Sequence, residues 1–133
     1  LRNEQEKKLL DSWIRDKPNV TYMGYISYDT MLDLYKRAKV FALPSIYEGV
    51  GIVALDAAVM GCDIVITRLG GPKEYYNNMA VEVDPYSIDE IGLAVSQLMQ
   101  GQTFQPDLRK YILENYSLKN ISEQLEMAFS IVL

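Results

Sequence analysis

The sequence has no histidine and only one cysteine, Cys62, among its 133 residues. The absence of histidine excludes an imidazole-based catalytic triad, a histidine metal site and the commonest general base of enzymes. A single cysteine excludes an internal disulfide, and its place beside an apolar run favours a buried thiol over a catalytic one. Candidate functional groups are therefore sought among the acidic residues and the backbone amides.

Long apolar runs and blocks of basic residues are also absent. No apolar stretch approaches the roughly 20 residues that span a bilayer, and the sequence does not open with a signal-peptide pattern. The net charge is −5, so neither nucleic acid nor an anionic membrane is expected as a partner of this chain. Apolar residues make up 49% and charged residues 23%, which is typical of a folded domain. We expect a single domain over residues 1–133.

Short apolar runs alternate with helical patterns along the chain. The runs predict strands, and the intervening periodicity of 3.6 residues predicts helices. The predicted strands are Val20–Tyr25, Val40–Leu43, Ile64–Thr67 and Ala80–Val83. The predicted helices outside the central segment are Glu4–Arg15, Tyr28–Lys39, Ser87–Gln100, about Pro106–Asn115 and Leu118–Val132. Continuous apolar strands are typical of a sheet covered on both faces, which predicts an α/β fold: a Rossmann-like parallel sheet with helices on both faces and right-handed crossovers.

The segment from Pro44 to Gly61, PSIYEGVGIVALDAAVMG, is the most informative part of the chain. Glu48 opens a glycine-bearing turn, and Asp56 follows eight positions later inside an otherwise apolar stretch. A strand, a glycine turn and the start of a helix together present free N–H groups and the positive end of a helix dipole to a ligand. This arrangement readily binds anions or hydroxyls.

Asp56 is surrounded by apolar residues at helical spacing, which places it on or beside the buried face of the predicted helix. A carboxylate removed from water costs several kcal/mol unless hydrogen-bond donors surround it. The donors could belong to the fold, as loop amides or as a pairing with Arg37 or Arg68. They could instead belong to a ligand.

Ligands of open parallel sheets bind at the carboxyl ends of the strands, where four loops are predicted. In the first loop, Tyr25 and Ile26 either face a ligand or pack on the next helix. In the third loop, the pair Gly70-Gly71 either contacts a ligand or forms a turn before a helix that Pro72 starts. The second loop runs from Ser45 to Gly51, and the fourth, Asp84-Pro85-Tyr86, is expected to be structural.

The segment PSIYEGVGIVALDAAVMG resembles the nucleotide-sugar signature of the retaining glycosyltransferases of family 4, which have the two-Rossmann-domain GT-B architecture. The likeness continues upstream in NVTYMGYISYDTMLDLYKRAKVFALPS. It continues downstream in DIVITRLGGPKEYY and AVEVDPYSIDEIGLAVSQLM. It therefore covers nearly the whole chain, and the resemblance implies part of a GT-B C-terminal domain, which binds the sugar donor.

The resemblance implies a role for each of a set of residues. Glu48 would be the catalytic residue that contacts the hydroxyls of the transferred sugar, and Asp56 would accept from the ribose hydroxyls. The other implied donor contacts are Tyr25, Ile26, Ser45, Gly49, Val50, Gly51, Ile52, Arg68, Gly70 and Gly71. The donor would be a nucleotide diphosphate sugar, and neither a cofactor nor a metal is implied.

The sequence departs from the family pattern in two ways. Position 56 is Asp where the family usually has Glu, which shortens the reach by about 1.5 Å, the length of a C–C bond. The chain also lacks the family's first two strands and the Gly-Arg…Lys-Gly loop that holds the diphosphate, for which only Arg68 and Lys73 could substitute. We therefore expect an incomplete donor domain that is inactive by itself. The alternative is a non-catalytic Rossmann-like nucleotide-binding or interaction module.

Further expectations concern the strands and the domain of the family architecture that this sequence lacks. The acceptor, a glycan or a lipid-linked sugar, would bind the absent N-terminal domain, and the implied location is cytoplasmic with any peripheral membrane contact made through that domain. Without the two central strands, the edges of Val20–Tyr25 and Val40–Leu43 either meet in a four-stranded sheet or leave a gap for absent segments, which we favour. The helix Glu4–Arg15, with an apolar stripe through Trp13, is expected to cover a face near that gap.

Overall fold

The computed structural model describes residues 3–102 and 105–132. Its strands are β1 (Val40–Leu43), β2 (Asp63–Thr67) and β3 (Val81–Val83). Its helices are α1 (Glu4–Ile14), α2 (Tyr28–Arg37), α3 (Ile52–Met60), α4 (Pro72–Tyr76), α5 (Ile88–Met99), α6 (Leu108–Asn115) and α7 (Leu118–Val132). The three strands pair in parallel in the order β1-β2-β3, so the predicted α/β fold with a parallel sheet is confirmed.

The central strand β2 explains why the predicted strands are continuously apolar. Successive side chains of a strand point to opposite faces. Ile64 and Ile66 lie in one buried cluster with α3, α6 and Tyr35 of α2, whereas Val65 lies in a second cluster with α5. Both faces of the sheet are therefore covered by helices, as predicted.

The helix boundaries follow the capping residues. Ser27 Oγ accepts from the backbone N–H of Thr30 at 3.2 Å and starts α2, as predicted. Ser87 Oγ accepts in the same way from the N–H of Glu90 at 3.2 Å and starts α5. The helix α2 ends two residues before the predicted Lys39, because Ala38 already has the extended backbone that leads into β1.

The predicted strand Val20–Tyr25 is wrong. Residues 20 to 25 form no strand in the structure, and all six residues are exposed. A strand is held by hydrogen bonds to a neighbouring strand, and no described residue runs beside this segment to supply them. The alternative of a four-stranded sheet, in which this segment meets β1, is therefore not observed.

The helix α1 forms where it was predicted, but its apolar stripe is not covered. None of its residues is buried, and the side chains of Leu9 and Trp13 are 49% and 61% exposed. The expected cover of a sheet face by α1 is thus not seen in the described part of the chain.

Two further sequence observations can be compared with the structure. Cys62 is buried, its Sγ donates to the carbonyl of Tyr35 at 3.2 Å, and burial raises the pKa of its thiol. The prediction of a buried thiol is therefore confirmed. In addition, no described helix combines the length and the hydropathy needed to cross a bilayer.

Candidate functional site

The loops that follow β1 and β2 are bonded to each other at the carboxyl edge of the sheet. The N–H of Glu48 donates to the carbonyl of Leu69 at 3.1 Å, and the N–H of Gly71 donates to the carbonyl of Glu48 at 3.0 Å. Together they make a parallel bridge between Glu48 and Gly70, which continues the sheet beyond its strands. The backbone of Glu48 is thereby fixed, while its side chain is only half-buried.

The two glycines of the second loop are required by this contact. Gly70 has φ of +109°, and a Cβ placed on it would lie 1.8 Å from the carbonyl oxygen of Glu48. A Cβ on Gly71 would lie 2.5 Å from the carbonyl oxygen of Gly49. The pair therefore serves close backbone approach, and a direct contact of either glycine with the donor stays a prediction.

The N-terminus of α3 lies in the same loop. Gly51 starts the helix in the left-handed region, with φ 72° and ψ 51°, and it offers no side chain to cap the first turn. The N–H groups of Ile52 and Val53 consequently find no acceptor among the residues that the structure describes. This helix end offers unpaired donors and a positive partial charge, a combination that suits an oxyanion.

Tyr76, which no sequence pattern singled out, holds this helix end in place. Its side chain is 1% exposed, and its hydroxyl donates to the carbonyl of Gly51 at 2.9 Å. Burial raises the pKa of Tyr76, and the charges of Glu48 and Asp56 raise it further. A buried tyrosine needs a partner for its hydroxyl. The place of Tyr76, shortly after the helix start predicted at Pro72, was therefore the one sequence signal that could have indicated this bond.

The raised pKa of Tyr76 predicts a loss of stability in alkali. Below about pH 10 both the folded and the unfolded chain keep the phenol proton, and above it the unfolded chain ionises first. Stability should therefore fall above pH 10, by up to about 1.4 kcal/mol per pH unit from this one group. Tyr76→Phe removes that contribution and should cost about 1 kcal/mol at pH 7, where only the hydrogen bond is lost.

Urea unfolding of the wild type and of Tyr76→Phe, at several pH values from 7 to 11.5, would measure this difference. The two stability curves should converge above pH 10. The fully exposed Tyr25 gives a matched control, because Tyr25→Phe removes only an exposed hydroxyl and should leave the stability at pH 7 unchanged. If the curves of the wild type and of Tyr76→Phe stayed parallel up to pH 11.5, the assignment would be wrong.

Asp56 is half-buried on α3, and its partner is a hydroxyl rather than a cation. The Tyr28 Oη donates to Asp56 Oδ2 at 3.4 Å. Arg37 and Arg68, the partners considered from the sequence, lie elsewhere: the former donates to the carbonyl of Asp33 at 3.4 Å, and the latter pairs with Glu90. Within residues 3–102 and 105–132, no basic side chain forms an ion pair with Asp56.

The two cations between β2 and β3 are both paired with carboxylates. Arg68 pairs with Glu90 of α5, and Lys73 Nζ lies 3.8 Å from Glu82 Oε2 of β3. Both cationic side chains remain substantially exposed, at 43% and 67%. Their contact with a donor phosphate, including that of Arg68, stays a prediction.

The remaining candidates, Tyr25, Ile26 and Ser45, differ in their exposure. Tyr25 is fully exposed, which excludes the alternative that it packs on α2. Ile26 and Ser45 are half-buried. The side chain of Tyr25 is thus free to meet a ligand, as one of the two interpretations required.

An apolar cavity of 360 Å³ lies beside Asp56. It was not predicted, because its walls come from helices that are far apart in the sequence. Its lining includes Leu55 and Val59 of α3, Tyr75 of α4 and Tyr116, which follows α6. The charged group of Asp56 stands at a surface that is otherwise mostly apolar.

Known proteins resemble this chain in sequence. The family model of the group 1 glycosyl transferases matches residues 3–117. An uncharacterized glycosyltransferase of Methanocaldococcus jannaschii is 31% identical over 120 residues, which are 86% of this chain and 31% of that protein. The O-antigen chain mannosyltransferase B of Escherichia coli is 28% identical over 100 residues, which are 75% of this chain and 25% of that protein.

A solved structure has the same fold as this chain. A sucrose-phosphate synthase from Thermosynechococcus elongatus superposes with a TM-score of 0.80 at 19% identity, over 96% of this chain and 34% of the other. At this identity the likeness shows the fold alone, and it supports the predicted GT-B C-terminal domain. The chain spans about a third or less of the length of these proteins. On the family match and the relatives together, this chain belongs to the group 1 glycosyl transferases.

Proposed function

We propose that this chain forms the donor-binding half of a retaining glycosyltransferase of family 4 that uses a nucleotide diphosphate sugar. The observation that carries the proposal is that one segment at the carboxyl edge of the sheet contains a carboxylate on a fixed backbone, an uncapped helix end and a second carboxylate. They are Glu48, the first turn of α3 and Asp56.

Each part has a separate task in this proposal. Glu48 accepts hydrogen bonds from the hydroxyls of the transferred sugar, and its backbone is held by the second loop. The N–H groups of Ile52 and Val53, with the loop amides from Gly49 to Gly51, stabilise the oxygens of the sugar and the phosphates. Asp56 accepts from the ribose hydroxyls, about one turn further along α3.

The reaction we propose is a front-face substitution. The bond between the anomeric carbon and the diphosphate oxygen breaks, a bond from the anomeric carbon to the acceptor oxygen forms on the same face, and the acceptor proton passes to the departing diphosphate. No carboxylate acts as a nucleophile. The chain contributes position and stabilisation of the charge that develops on the leaving group.

The acceptor side lies outside this chain in our proposal. A glycan or a lipid-linked sugar would bind a second domain of the intact protein, in the cytoplasm or at the inner face of the membrane, and neither metal nor cofactor would take part. Because transfer requires both reactants to be held together, we expect the isolated chain to be inactive.

Asp56→Asn tests the donor site. The variant keeps the shape of the side chain but removes the charge that strengthens its hydrogen bonds with the ribose, so we expect the affinity for a nucleoside diphosphate to fall by about 10-fold or more. Calorimetric titration of the intact protein with UDP, GDP and ADP would identify the nucleotide and measure the loss.

Asp33→Asn is the matched control, because among the described residues this exposed carboxylate pairs only with Lys36 on the surface of α2. Its affinity should equal that of the wild type. An intact protein that binds none of the three nucleotides would overturn the proposal.

The second candidate function is a nucleotide-binding or interaction module without catalysis. The pairing of both Arg68 and Lys73 with carboxylates favours it, since a diphosphate would have to compete with Glu90 and Glu82 for these cations. The intact protein should be supplied with nucleotide sugars and a panel of glycan acceptors, and the product followed by proton NMR. Transfer with a retained anomeric configuration supports the enzyme, nucleotide binding without transfer or hydrolysis supports the module, and an inverted product contradicts retention.

A further inference from the structure

The contact between Tyr28 and Asp56 joins two helices at the edge of the candidate donor site. Tyr28 is the first residue of α2, and its hydroxyl donates to Asp56 Oδ2 of α3 at 3.4 Å. Its side chain is 58% exposed, so the phenol reaches the carboxylate from the solvent side. The contact therefore contributes little to the buried core, and a role for it must be sought at the surface.

The helix that carries Tyr28 is held firmly against α3. Its first turn is capped by Ser27, and Tyr35 near its other end is buried in the same apolar cluster as Ala54 and Ala57 of α3. A tyrosine side chain has only two torsions with a few preferred values, so on a packed helix its hydroxyl samples few positions. Tyr28 can thus bias the direction in which the Asp56 carboxylate points.

The hydrogen-bond capacity of the pair leaves room for a ligand. A carboxylate has about four acceptor positions, and the phenol occupies one of them on Oδ2. A phenol oxygen can also accept a bond while it donates one. The separation of 3.4 Å is longer than the usual 2.7–2.8 Å of an O–H···O bond, so the contact is weak and leaves both groups able to bond a ligand hydroxyl.

The negative charge of Asp56 keeps the phenol of Tyr28 protonated, so that its hydroxyl can donate a hydrogen bond. The charge of Asp56 is the largest influence that raises the pKa of Tyr28 above its ordinary value. Tyr28 therefore stays protonated throughout the neutral range, and it donates whenever Asp56 is ionised.

We propose that Tyr28 is a positioning and specificity residue of the donor site, which orients Asp56 and forms with it a binding site for the two vicinal hydroxyls of a ribose. This inference rests on the proposed function, because it assigns Asp56 to the ribose. It adds a residue from α2 to a site otherwise built from the loops after β1 and β2 and from α3.

Tyr28→Phe in the intact protein tests the proposal, with the nucleoside diphosphate that the wild type binds as the probe. We expect the dissociation constant to rise by about 3- to 10-fold, the effect of one lost hydrogen bond, and kcat to change by less than the KM for the donor. Tyr86→Phe is the matched control: this tyrosine is also exposed, at 70%, on the loop after β3, and its replacement should leave the affinity unchanged.

Two measurements distinguish this role from a structural one. In an Asp56→Asn background, Tyr28→Phe should produce little further loss, because the carboxylate that it orients is gone. With the 2′,3′-dideoxy form of the same nucleotide, the wild type and Tyr28→Phe should bind equally. If Tyr28 only supported the structure, Tyr28→Phe would lower the affinity for the ribose form and the affinity for the dideoxy form by the same factor.

The outcomes separate the inference from the function on which it rests. If the wild type binds no nucleoside diphosphate, the proposed function fails and this inference fails with it. If the wild type binds one and Tyr28→Phe binds it equally well, or loses the same factor with the dideoxy form, only the inference is overturned.

Discussion

Replacing Glu48 with glutamine is expected to lower the turnover of the intact enzyme by about 100-fold or more. The amide keeps the size and shape of the side chain but removes the negative charge that accepts from the sugar hydroxyls and stabilises charge in the transition state. The surrounding loop cannot compensate by moving, because the backbone of Glu48 is bonded on both sides to Leu69 and Gly71. The loss should therefore appear in kcat, with a smaller change in donor affinity.

Steady-state kinetics with the sugar donor and its acceptor would measure this effect. Glu114→Gln is a suitable control, because this carboxylate lies exposed on α6 and pairs only loosely, at 4.0 Å, with Lys110. Its kcat should match the wild type. A kcat for Glu48→Gln within a few-fold of the wild type would show that this carboxylate serves neither the sugar nor the transition state.

Local signals predicted most of the fold. The strand Val40–Leu43 was predicted to the residue, because an apolar run bounded by Pro44 is explicit in the sequence. The strand β2 and the helix α5 were predicted within one or two residues, because a buried run and the cap at Ser87 mark them. These strands and helices depend on residues only a few positions apart, so the hydrophobic periodicity of the sequence, with a period of 2 or 3.6 residues, predicts them.

The segment Val20–Tyr25 marks the limit of such patterns. It has the composition of a strand, but a strand exists only when another strand bonds to it, and no described residue does so. The apolar stripe of α1 shows the same limit, because periodicity indicates which face could be buried and not whether a partner covers it.

The candidate site was predicted as a segment and not as a three-dimensional arrangement. The eight-residue spacing from Glu48 to Asp56 and the glycine turn were visible in the sequence. The bond from Tyr76 to Gly51 and the bond from Tyr28 to Asp56 join residues 25 and 28 positions apart, and no local periodicity encodes them. Both depend on how α2, α3 and α4 lie around the end of the sheet.

The glycine at position 70 should be the most sensitive backbone position of the domain. A Cβ there would lie 1.8 Å from the carbonyl oxygen of Glu48, and φ of +109° is a conformation that side chains rarely adopt. The obstacle is backbone rather than the end of a flexible side chain, so relief requires the two loops to separate. Separation would break the bonds of Glu48 with Leu69 and Gly71.

Gly70→Ala is therefore expected to destabilise the protein by about 3 to 5 kcal/mol, from backbone strain of about 1–3 kcal/mol together with two hydrogen bonds of about 1 kcal/mol each. Urea unfolding followed by circular dichroism would measure the change. Gly92→Ala on α5 is the matched control: a Cβ there meets no atom within 4 Å, and the exchange should stabilise the helix by up to about 1 kcal/mol. If Gly70→Ala unfolded at the same urea concentration as the wild type, the close contact between the two loops, and with it the fixed position of Glu48, would be wrong.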